Sequence, residues 1–258
     1  MLRHVTSADG LRIACQVEGA GTPLVMVHGA GSGRWSFDLV RPHLQDRFTV
    51  WAIDRRGRGD SDDADSYAIE REFDDVAAVV REAGPGALLF GHSYGGLVAA
   101  GAAARLNGLP RLAVYDGPMG GVLADEAWTA RFERRVESGD GDAASREFMS
   151  DIGGYTDAEI EAMQGTPAWQ ARLAAAPTVP RELRAERAFG IDALRLGELA
   201  APTLVLVGSE SPDWAQRSTA AFAAAIPSAE RHTLHGHGHG AAVSGPELLA
   251  AELVGFFA

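Results

Sequence analysis

The segment "LLFGHSYGG" (residues 88–96) places a serine between two glycines at the end of an apolar run, in the pattern Gly-x-Ser-x-Gly. If the chain made a sharp strand-to-helix turn there, bulky side chains at Gly91 or Gly95 would collide with the adjoining strand and helix. Such a turn presents the hydroxyl of Ser93 above a sheet. The pattern therefore predicts Ser93 as a nucleophile, the alternative being an ordinary glycine-rich turn.

A serine hydroxyl needs a base to remove its proton, and histidine is the usual one. Three of the eight histidines, His235, His237 and His239, lie close together in "LHGHGHGAAVSGPE". The base must hang from a loop beyond a strand end, which favours these later histidines. Alternating histidines could also bind a metal ion, but no carboxylate or cysteine cluster accompanies them, so we expect no metal site.

Short apolar runs alternate with helix-like segments, and these elements must position the serine and the base. The runs "PLVMVHG", "TVWAIDRRG", "ALLFGHS", "RLAVYDGP" and "PTLVLVGSE" look buried on both faces. Such runs are typical of a mostly parallel sheet covered by helices. An apolar stripe between residues 73 and 80 that ends at Gly84 is typical of an amphipathic helix. The alternation predicts an α/β architecture.

The alternation stops between residues 119 and 199, where the sequence is polar and helix-like and carries scattered Trp, Phe and Met residues. We interpret residues 119–199 as a helical cap insertion that lies over the sheet. Residues 1–118 and 200–258 would then form the core that carries the site.

Composition limits the class of protein. The chain has 258 residues, 46% of them hydrophobic, which suits one globular domain. A formal net charge of −12 argues against a nucleic-acid partner. The single cysteine, Cys15, excludes an intramolecular disulfide, and neither a signal-peptide pattern nor an apolar run of about 20 residues appears. We expect a cytoplasmic monomer or homodimer without a membrane partner.

Four motifs, in chain order, resemble those of the α/β-hydrolase family. They are His28-Gly29 in "VMVHGAGSGRW", "DRRGRGDS" at residues 54–61, the serine turn, and "GHGH" at residues 236–239 with Pro-Glu beyond it. The resemblance covers nearly the whole chain and implies the α/β-hydrolase fold, a mostly parallel twisted sheet with helices on both faces. It assigns His239 as the base, whereas His237 falls on a variable position.

The resemblance also implies an oxyanion hole, in which main-chain N–H groups stabilise charge that develops on a substrate oxygen. It assigns these donors to Tyr94 and to Ala30, the residue after the His-Gly pair. Trp35 resembles an aromatic residue that follows this loop in the family, and we interpret it as a pocket wall, with core packing as the alternative. We also expect His28 and, in the cap, Trp128 to contact the substrate.

The acid that would orient the imidazole departs from the family pattern. The family usually carries it as Gly-x-x-Asp after the seventh strand, but Ser211 stands at that position. A serine cannot stabilise an imidazolium as a carboxylate does. We favour Asp116, at the end of "RLAVYDGP", because some family members place the acid at the tip of the sixth strand. Glu210 is the alternative, while Asp213 stands where a helix start would use it.

Together these residues predict a serine hydrolase that cleaves a carboxylic ester, or a related small acyl substrate, through an acyl-enzyme and without a cofactor. Lactone opening, thioester cleavage and carbon–carbon bond hydrolysis stay open, because the same groups support all of them. The family's epoxide hydrolases and haloalkane dehalogenases use an aspartate where Ser93 stands, which argues against those reactions. A non-hydrolytic lyase or a ligand-binding protein on this fold is the alternative from another class, and the displaced acid is the one feature that favours it.

Overall fold

The structure is a computed structural model that describes residues 1–118, 121, 123–189 and 191–258. Within these residues the centre is an eight-stranded sheet in the order β1-β2-β4-β3-β5-β6-β7-β8, in which β2 pairs antiparallel with β1 and β4 and the other neighbours pair parallel. The strands are β1 (Leu2–Thr6), β2 (Arg12–Gly19), β3 (Thr22–Val27), β4 (Phe48–Ile53), β5 (Leu88–His92), β6 (Leu112–Tyr115), β7 (Thr203–Gly208) and β8 (Ala229–Leu234). The predicted mostly parallel α/β sheet is confirmed.

Helices connect the parallel strands. The α-helices are α1 (Ile69–Ala83), α2 (Tyr94–Ala103), α3 (Glu126–Glu137), α4 (Gly141–Asp151), α5 (Asp157–Met163), α6 (Pro167–Ala175), α7 (Val179–Ala188), α8 (Asp213–Ala225), α9 (Ala241–Ser244) and α10 (Pro246–Phe257). Short 3₁₀ helices span Arg34–Phe37, Arg41–His43, Ala176–Thr178, Ile191–Leu194 and Leu196–Glu198. None of the helices in the described ranges is both long and apolar enough to cross a membrane.

The two faces of the sheet carry separate apolar clusters. Along β3, Val25 and Val27 pack into the cluster that includes residues of α1 and α2, whereas Leu24 and Met26 pack into the one that includes α10. Successive side chains of a strand point to opposite faces, so a strand covered on both sides must be apolar throughout. This explains why the sequence of β3 shows no polar alternation.

Helices α3 to α7 all lie between β6 and β7, in the part of the chain for which we predict a cap. Residue 119, where that predicted insertion begins, lies outside the described residues. We refer to residues 123–189 as the cap segment. Inside it Met149, Ile160 and Trp169 form an apolar cluster that is separate from the two clusters on the sheet. The cap segment therefore has apolar packing of its own.

Buried ion pairs attach the cap segment to the core. Arg55, on the loop after β4, contacts Glu72 of α1 at 2.9 Å and Glu182 of α7 at 2.6 Å. Arg58 also contacts Glu182. All four side chains are at most 1% exposed. We call Arg55, Arg58, Glu72 and Glu182 the buried charge cluster.

Candidate active site

Ser93 lies in the turn between β5 and α2, with φ +54° and ψ −131°, a backbone region that residues other than glycine rarely adopt. A Cβ on Gly91 would lie 2.3 Å from the carbonyl oxygen of Gly95, and one on Gly95 would lie 2.3 Å from that of Val27. Both glycines are therefore required by close backbone approach. The N–H of Ser93 donates to the carbonyl of Tyr115 over 2.8 Å, which ties the turn to β6.

His239 lies on the loop between β8 and α9, and its Nδ1 is 2.9 Å from Oδ2 of Asp116, which directly follows β6. Asp116 is fully buried and adopts φ +47°, and His239 is 7% exposed. A carboxylate only accepts hydrogen bonds, so Nδ1 donates and the Nε2 of the neutral ring keeps its lone pair. His239 and Ser93 line one cavity.

Ser211, which occupies the family's usual acid position, is the second partner of this carboxylate. Its hydroxyl donates to Asp116 Oδ2 over 2.7 Å and accepts from the N–H of Gly208 over 3.2 Å. Among the described residues, Asp116 Oδ1 has no hydrogen-bond partner. Glu210 is exposed. The structure thus brings Asp116, and not Glu210, to the imidazole.

Three aromatic side chains hold the loop that carries His239. His92 donates from Nε2 to the main-chain carbonyl of His239 over 2.9 Å, and its ring stacks on Tyr115 at 5.1 Å. The hydroxyl of Tyr115 donates to the carbonyl of Gly238. Trp214 meets the His239 ring edge to face at 5.2 Å. Burial and the neighbouring His239 lower the pKa of His92 well below its ordinary value, so His92 is neutral.

The loop after β3 passes beside the serine. A Cβ on Gly29 would lie 3.4 Å from Ser93 Oγ, and Ala30 lines the same cavity. Tyr94 is the first residue of α2, so its N–H has no acceptor within the helix. The ring of Tyr94 is fully buried, and its hydroxyl is 2.8 Å from that of Tyr67. The side chain of Tyr94 therefore packs in the core, and the oxyanion-hole role of the main-chain N–H groups of Ala30 and Tyr94 stays a prediction.

Two buried side chains fix the peptide between Gly29 and Ala30. The carbonyl of Gly29 accepts from Nη2 of Arg55 and from Nδ1 of His28, each over 2.9 Å. In a trans peptide the carbonyl and the following N–H point in opposite directions, so this anchoring also orients the N–H of Ala30. Arg55, a member of the buried charge cluster, is therefore a positioning residue for the loop.

His28 does not contact the pocket, contrary to our expectation. It is 0% exposed, and its Nε2 accepts from the N–H of Arg55 over 3.1 Å while Nδ1 holds Gly29. Desolvation and the charge of Arg55 lower its pKa well below the ordinary value. A neutral imidazole with one donor and one acceptor nitrogen matches both bonds. His28 shapes the loop and is not available to a substrate.

Trp128 also differs from our expectation. It is not among the described residues that line the cavity. Its ring stacks on Phe132 with centroids 5.4 Å apart, and its Nε1 donates to Asp151 over 2.8 Å. Trp128 therefore packs within the cap segment, because an aromatic residue of an amphipathic helix can face its neighbouring helices instead of the site. Trp35, by contrast, lines the cavity, as the pocket-wall interpretation requires.

The cap segment covers the cavity with mostly apolar side chains. These are Leu123, Phe148, Met149, Ile152, Tyr155 and Met163, and the one charged residue among them is Arg172 of α6. Arg172 is not among the site residues predicted from the sequence, although a signal was present: it is the only charged residue between Glu161 and Arg181. Within the described ranges, no group of three or more His, Cys, Asp or Glu residues could hold a metal ion.

Comparisons with known proteins agree with this architecture. A model of the alpha/beta hydrolase family matches residues 24–252. Among solved structures, an alpha/beta hydrolase from Sphaerobacter thermophilus is 33% identical and superposes with a TM-score of 0.84, over 99% of this chain and 100% of that one.

Similarity to curated proteins is more local. The 2-(acetamidomethylene)succinate hydrolase of Mesorhizobium japonicum is 36% identical over 99 residues, which are 38% of this chain and 36% of that protein. The soluble epoxide hydrolase of Corynebacterium sp. is 35% identical over 98 residues, 37% of this chain and 34% of that protein. The chain thus spans about a third of the length of these two relatives.

Proposed function

Because the chain belongs to the alpha/beta hydrolase family, we propose that it is a serine hydrolase that cleaves a carboxylic ester or a related acyl substrate. Ser93 is the nucleophile, His239 the base and Asp116 the acid that orients the imidazole. The observation that carries the proposal is the 2.9 Å hydrogen bond between His239 Nδ1 and Asp116 Oδ2, at the cavity that the strained Ser93 turn also lines.

The reaction assigns a role to each of these groups. As Ser93 Oγ bonds to the acyl carbon, its proton moves to Nε2 of His239, and Asp116 stabilises the imidazolium that forms. The main-chain N–H groups of Ala30 and Tyr94 stabilise the negative charge on the substrate oxygen. His239 then gives the proton to the leaving group. Water then attacks the acyl-enzyme while His239 takes a proton from it. His239 returns this proton to Ser93 Oγ as the carboxylic acid product leaves.

The identity of the residue at position 93 limits which reaction types the site can catalyse. A relative is named as a soluble epoxide hydrolase, but Ser93 stands where such family members carry an aspartate. A serine forms an ester with an acyl group, whereas opening an epoxide by this route needs a carboxylate nucleophile. We therefore propose acyl transfer and not epoxide opening. Lactones, thioesters and activated carbon–carbon bonds remain substrates that the same groups would serve.

A fluorophosphonate probe tests the proposal, because it modifies only an activated serine. We expect stoichiometric labelling of the unaltered protein and of Ser138→Ala, an exposed control outside the cavity, and none of Ser93→Ala. Ester hydrolysis should fall by roughly 10⁴–10⁶-fold in Ser93→Ala. A folded but unlabelled protein would instead support the ligand-binding alternative.

A further inference from the structure

One cation borders the cavity without an acidic partner. Arg172 donates from Nη1 to the main-chain carbonyl of Gly31 over 3.0 Å, and its guanidinium carbon lies 5.3 Å from the centre of the Trp35 ring. In the part of the chain that the structure describes, no carboxylate pairs with it, and the groups that interact with its charge are Tyr155 and His92. The remaining guanidinium nitrogens accordingly have no acceptor among the described side chains.

Arg172 contrasts with the arginine of the buried charge cluster that also holds the loop after β3. The chain carries 35 acidic residues against 23 arginines, and the fully buried Arg55 contacts both Glu72 and Glu182. Desolvation lowers the pKa of Arg172, yet a guanidinium keeps its proton in proteins. A half-buried charge without a counterion is unfavourable unless a ligand supplies one. The described residues thus supply no acidic partner for the charge of Arg172.

Arg172 lies close to the residues proposed to take part in the reaction. Gly31, which it contacts, follows Ala30, the residue assigned to the oxyanion hole. Its charge is also close enough to contribute to the lowered pKa of His92, which precedes Ser93. An anion bound to Arg172 would therefore be part of the molecule whose acyl group reaches the serine.

A second donor borders the same space. Tyr155 lines the cavity, and its hydroxyl makes no hydrogen bond with any described residue. A Cβ on Gly240 would lie 2.7 Å from that hydroxyl, so it sits beside the residue that follows His239. A guanidinium and a phenol hydroxyl together match the several lone pairs of a carboxylate. The other cap side chains around them are apolar and would contact hydrocarbon.

We propose that Arg172, assisted by Tyr155, binds a free carboxylate of the substrate. The substrate class is then an acyl compound that carries a second, ionised carboxyl group, such as a monoester of a dicarboxylic acid. This inference rests on the proposed function, because it names the substrate of that same site. The alternative is that Arg172 only braces the loop through Gly31 and Trp35.

Two matched esters test the inference: mono-4-nitrophenyl succinate, and the same ester with its carboxylate blocked as a methyl ester. Charge-assisted hydrogen bonds should favour the anionic ester by roughly 10–100-fold in kcat/KM. We expect Arg172→Gln to bring the ratio of the two kcat/KM values close to one, and Arg172→Lys to keep a preference of the same sign. Cleavage assisted by the neighbouring carboxylate itself is subtracted using Ser93→Ala.

Arg131→Gln is the matched control, since Arg131 belongs to the cap segment but pairs with Glu147; it should leave the ratio unchanged. The ratio separates substrate recognition from damage to the loop, because loss of the Gly31 contact would slow both esters alike. A second readout needs no turnover: calorimetry should detect succinate binding to Ser93→Ala and much weaker binding to the double variant with Arg172→Gln.

The outcomes distinguish this inference from the proposed function. If the probe labels Ser93 but the unaltered protein cleaves both esters equally and Ser93→Ala does not bind succinate, the carboxylate site is refuted and the serine hydrolase stands. If the probe fails to label the folded protein, the proposed function fails, whereas Arg172-dependent succinate binding would still support an anion site.

Discussion

Two buried polar clusters lie in the core of this protein, one at the tips of β6 and β7 and the other between the loop after β4, α1 and α7. In the first, a single carboxylate, Asp116, faces the imidazole of His239 and the hydroxyl of Ser211, and one of its oxygens has no partner among the described residues. In the second, the buried charge cluster, Arg55 contacts two carboxylates and Arg58 shares one of them.

The two clusters differ in whether an added positive charge would find an opposite charge that is not already paired. A proton transferred to His239 during the reaction would place a positive charge 2.9 Å from Asp116, which has no other charged partner among the described residues. In the buried charge cluster every charge already faces an opposite one, and removing a single charge would create an imbalance. The first arrangement suits proton transfer, and the second suits holding the cap segment and the Gly29 carbonyl in place.

The largest expected effect on activity comes from Asp116→Asn, which tests whether the first cluster serves the reaction. The amide would donate to Nδ1 and force the wrong tautomer of His239, so kcat should fall by about 10⁴-fold. The free energy of unfolding should change by no more than about 1 kcal/mol, since the NH2 group that takes the place of Oδ2 can use its second hydrogen to donate to the hydroxyl oxygen of Ser211. Ester hydrolysis and urea denaturation measure the two quantities.

Because β6 and β7 are neighbours, a second variant can test whether a carboxylate after β7 replaces the one after β6. Adding Ser211→Asp to Asp116→Asn returns a carboxylate to the family's usual position, and kcat should rise above that of Asp116→Asn. Asp213→Asn, at a fully solvated carboxylate, is the control and should leave kcat unchanged. An Asp116→Asn variant that keeps full activity would refute the role of this acid.

Glu182→Gln should give the opposite pattern. It leaves Arg55 and Arg58 short of one negative charge in a buried place, which should lower the free energy of unfolding by about 3–5 kcal/mol. Arg55 keeps Glu72 and its contact with Gly29, so kcat per folded molecule should fall far less than in Asp116→Asn. Glu126→Gln, whose ion pairs with Arg184 and Arg187 are exposed, should cost at most about 1 kcal/mol. Equal losses in the two variants would contradict the structural role of the cluster.

The smallest expected effect is a pH dependence of stability that originates at the first cluster. The pKa of His92 is lowered in the folded protein, while in the unfolded chain it is about 6.5. The unfolded state therefore binds more protons below that pH, so stability is complete above pH 6.5 and declines as the pH falls. The slope from this residue is at most about 1.4 kcal/mol per pH unit.

Urea denaturation between pH 7.5 and 5.5 measures this slope. His92→Gln keeps an N–H donor for the carbonyl of His239 but cannot titrate, so its stability should decline less over that range. His235→Gln, at an exposed histidine, should behave like the unaltered protein. Identical slopes in all three proteins would show that His92 is not held neutral by the fold.

The features that the sequence predicted are those determined locally. The apolar strands and the glycines around Ser93 follow from backbone geometry within a few residues. The structure has the predicted sheet, brings Ser93 and His239 to one cavity, and places the buried Asp116 against the imidazole of His239. Their catalytic roles stay predictions. The partner of the imidazole was ambiguous because Asp116 and Glu210 lie far apart in the chain but at adjacent strand ends.

The features that the sequence did not predict depend on tertiary neighbours. Whether Trp128 faces the site or the cap segment is decided by how helices pack, which its helical spacing does not reveal. His28 belongs to a recognisable motif, but only the fold shows that Arg55 and Gly29 occupy both of its nitrogens. Likewise, the sequence shows that Arg172 has no charged residue near it in the chain. Only the fold shows that no described carboxylate from a distant part of the chain pairs with it.

The hydrogen bond between Ser211 and Asp116 has a consequence for how enzymes of this kind are recognised. Because β6 and β7 are adjacent and parallel, a carboxylate at either tip can serve one histidine, and the vacated tip can keep a small hydroxyl side chain. A signature that demands an acid after β7 would dismiss this chain as a degenerate, inactive homologue. A search that accepts the acid at either of two neighbouring strand ends would retain it.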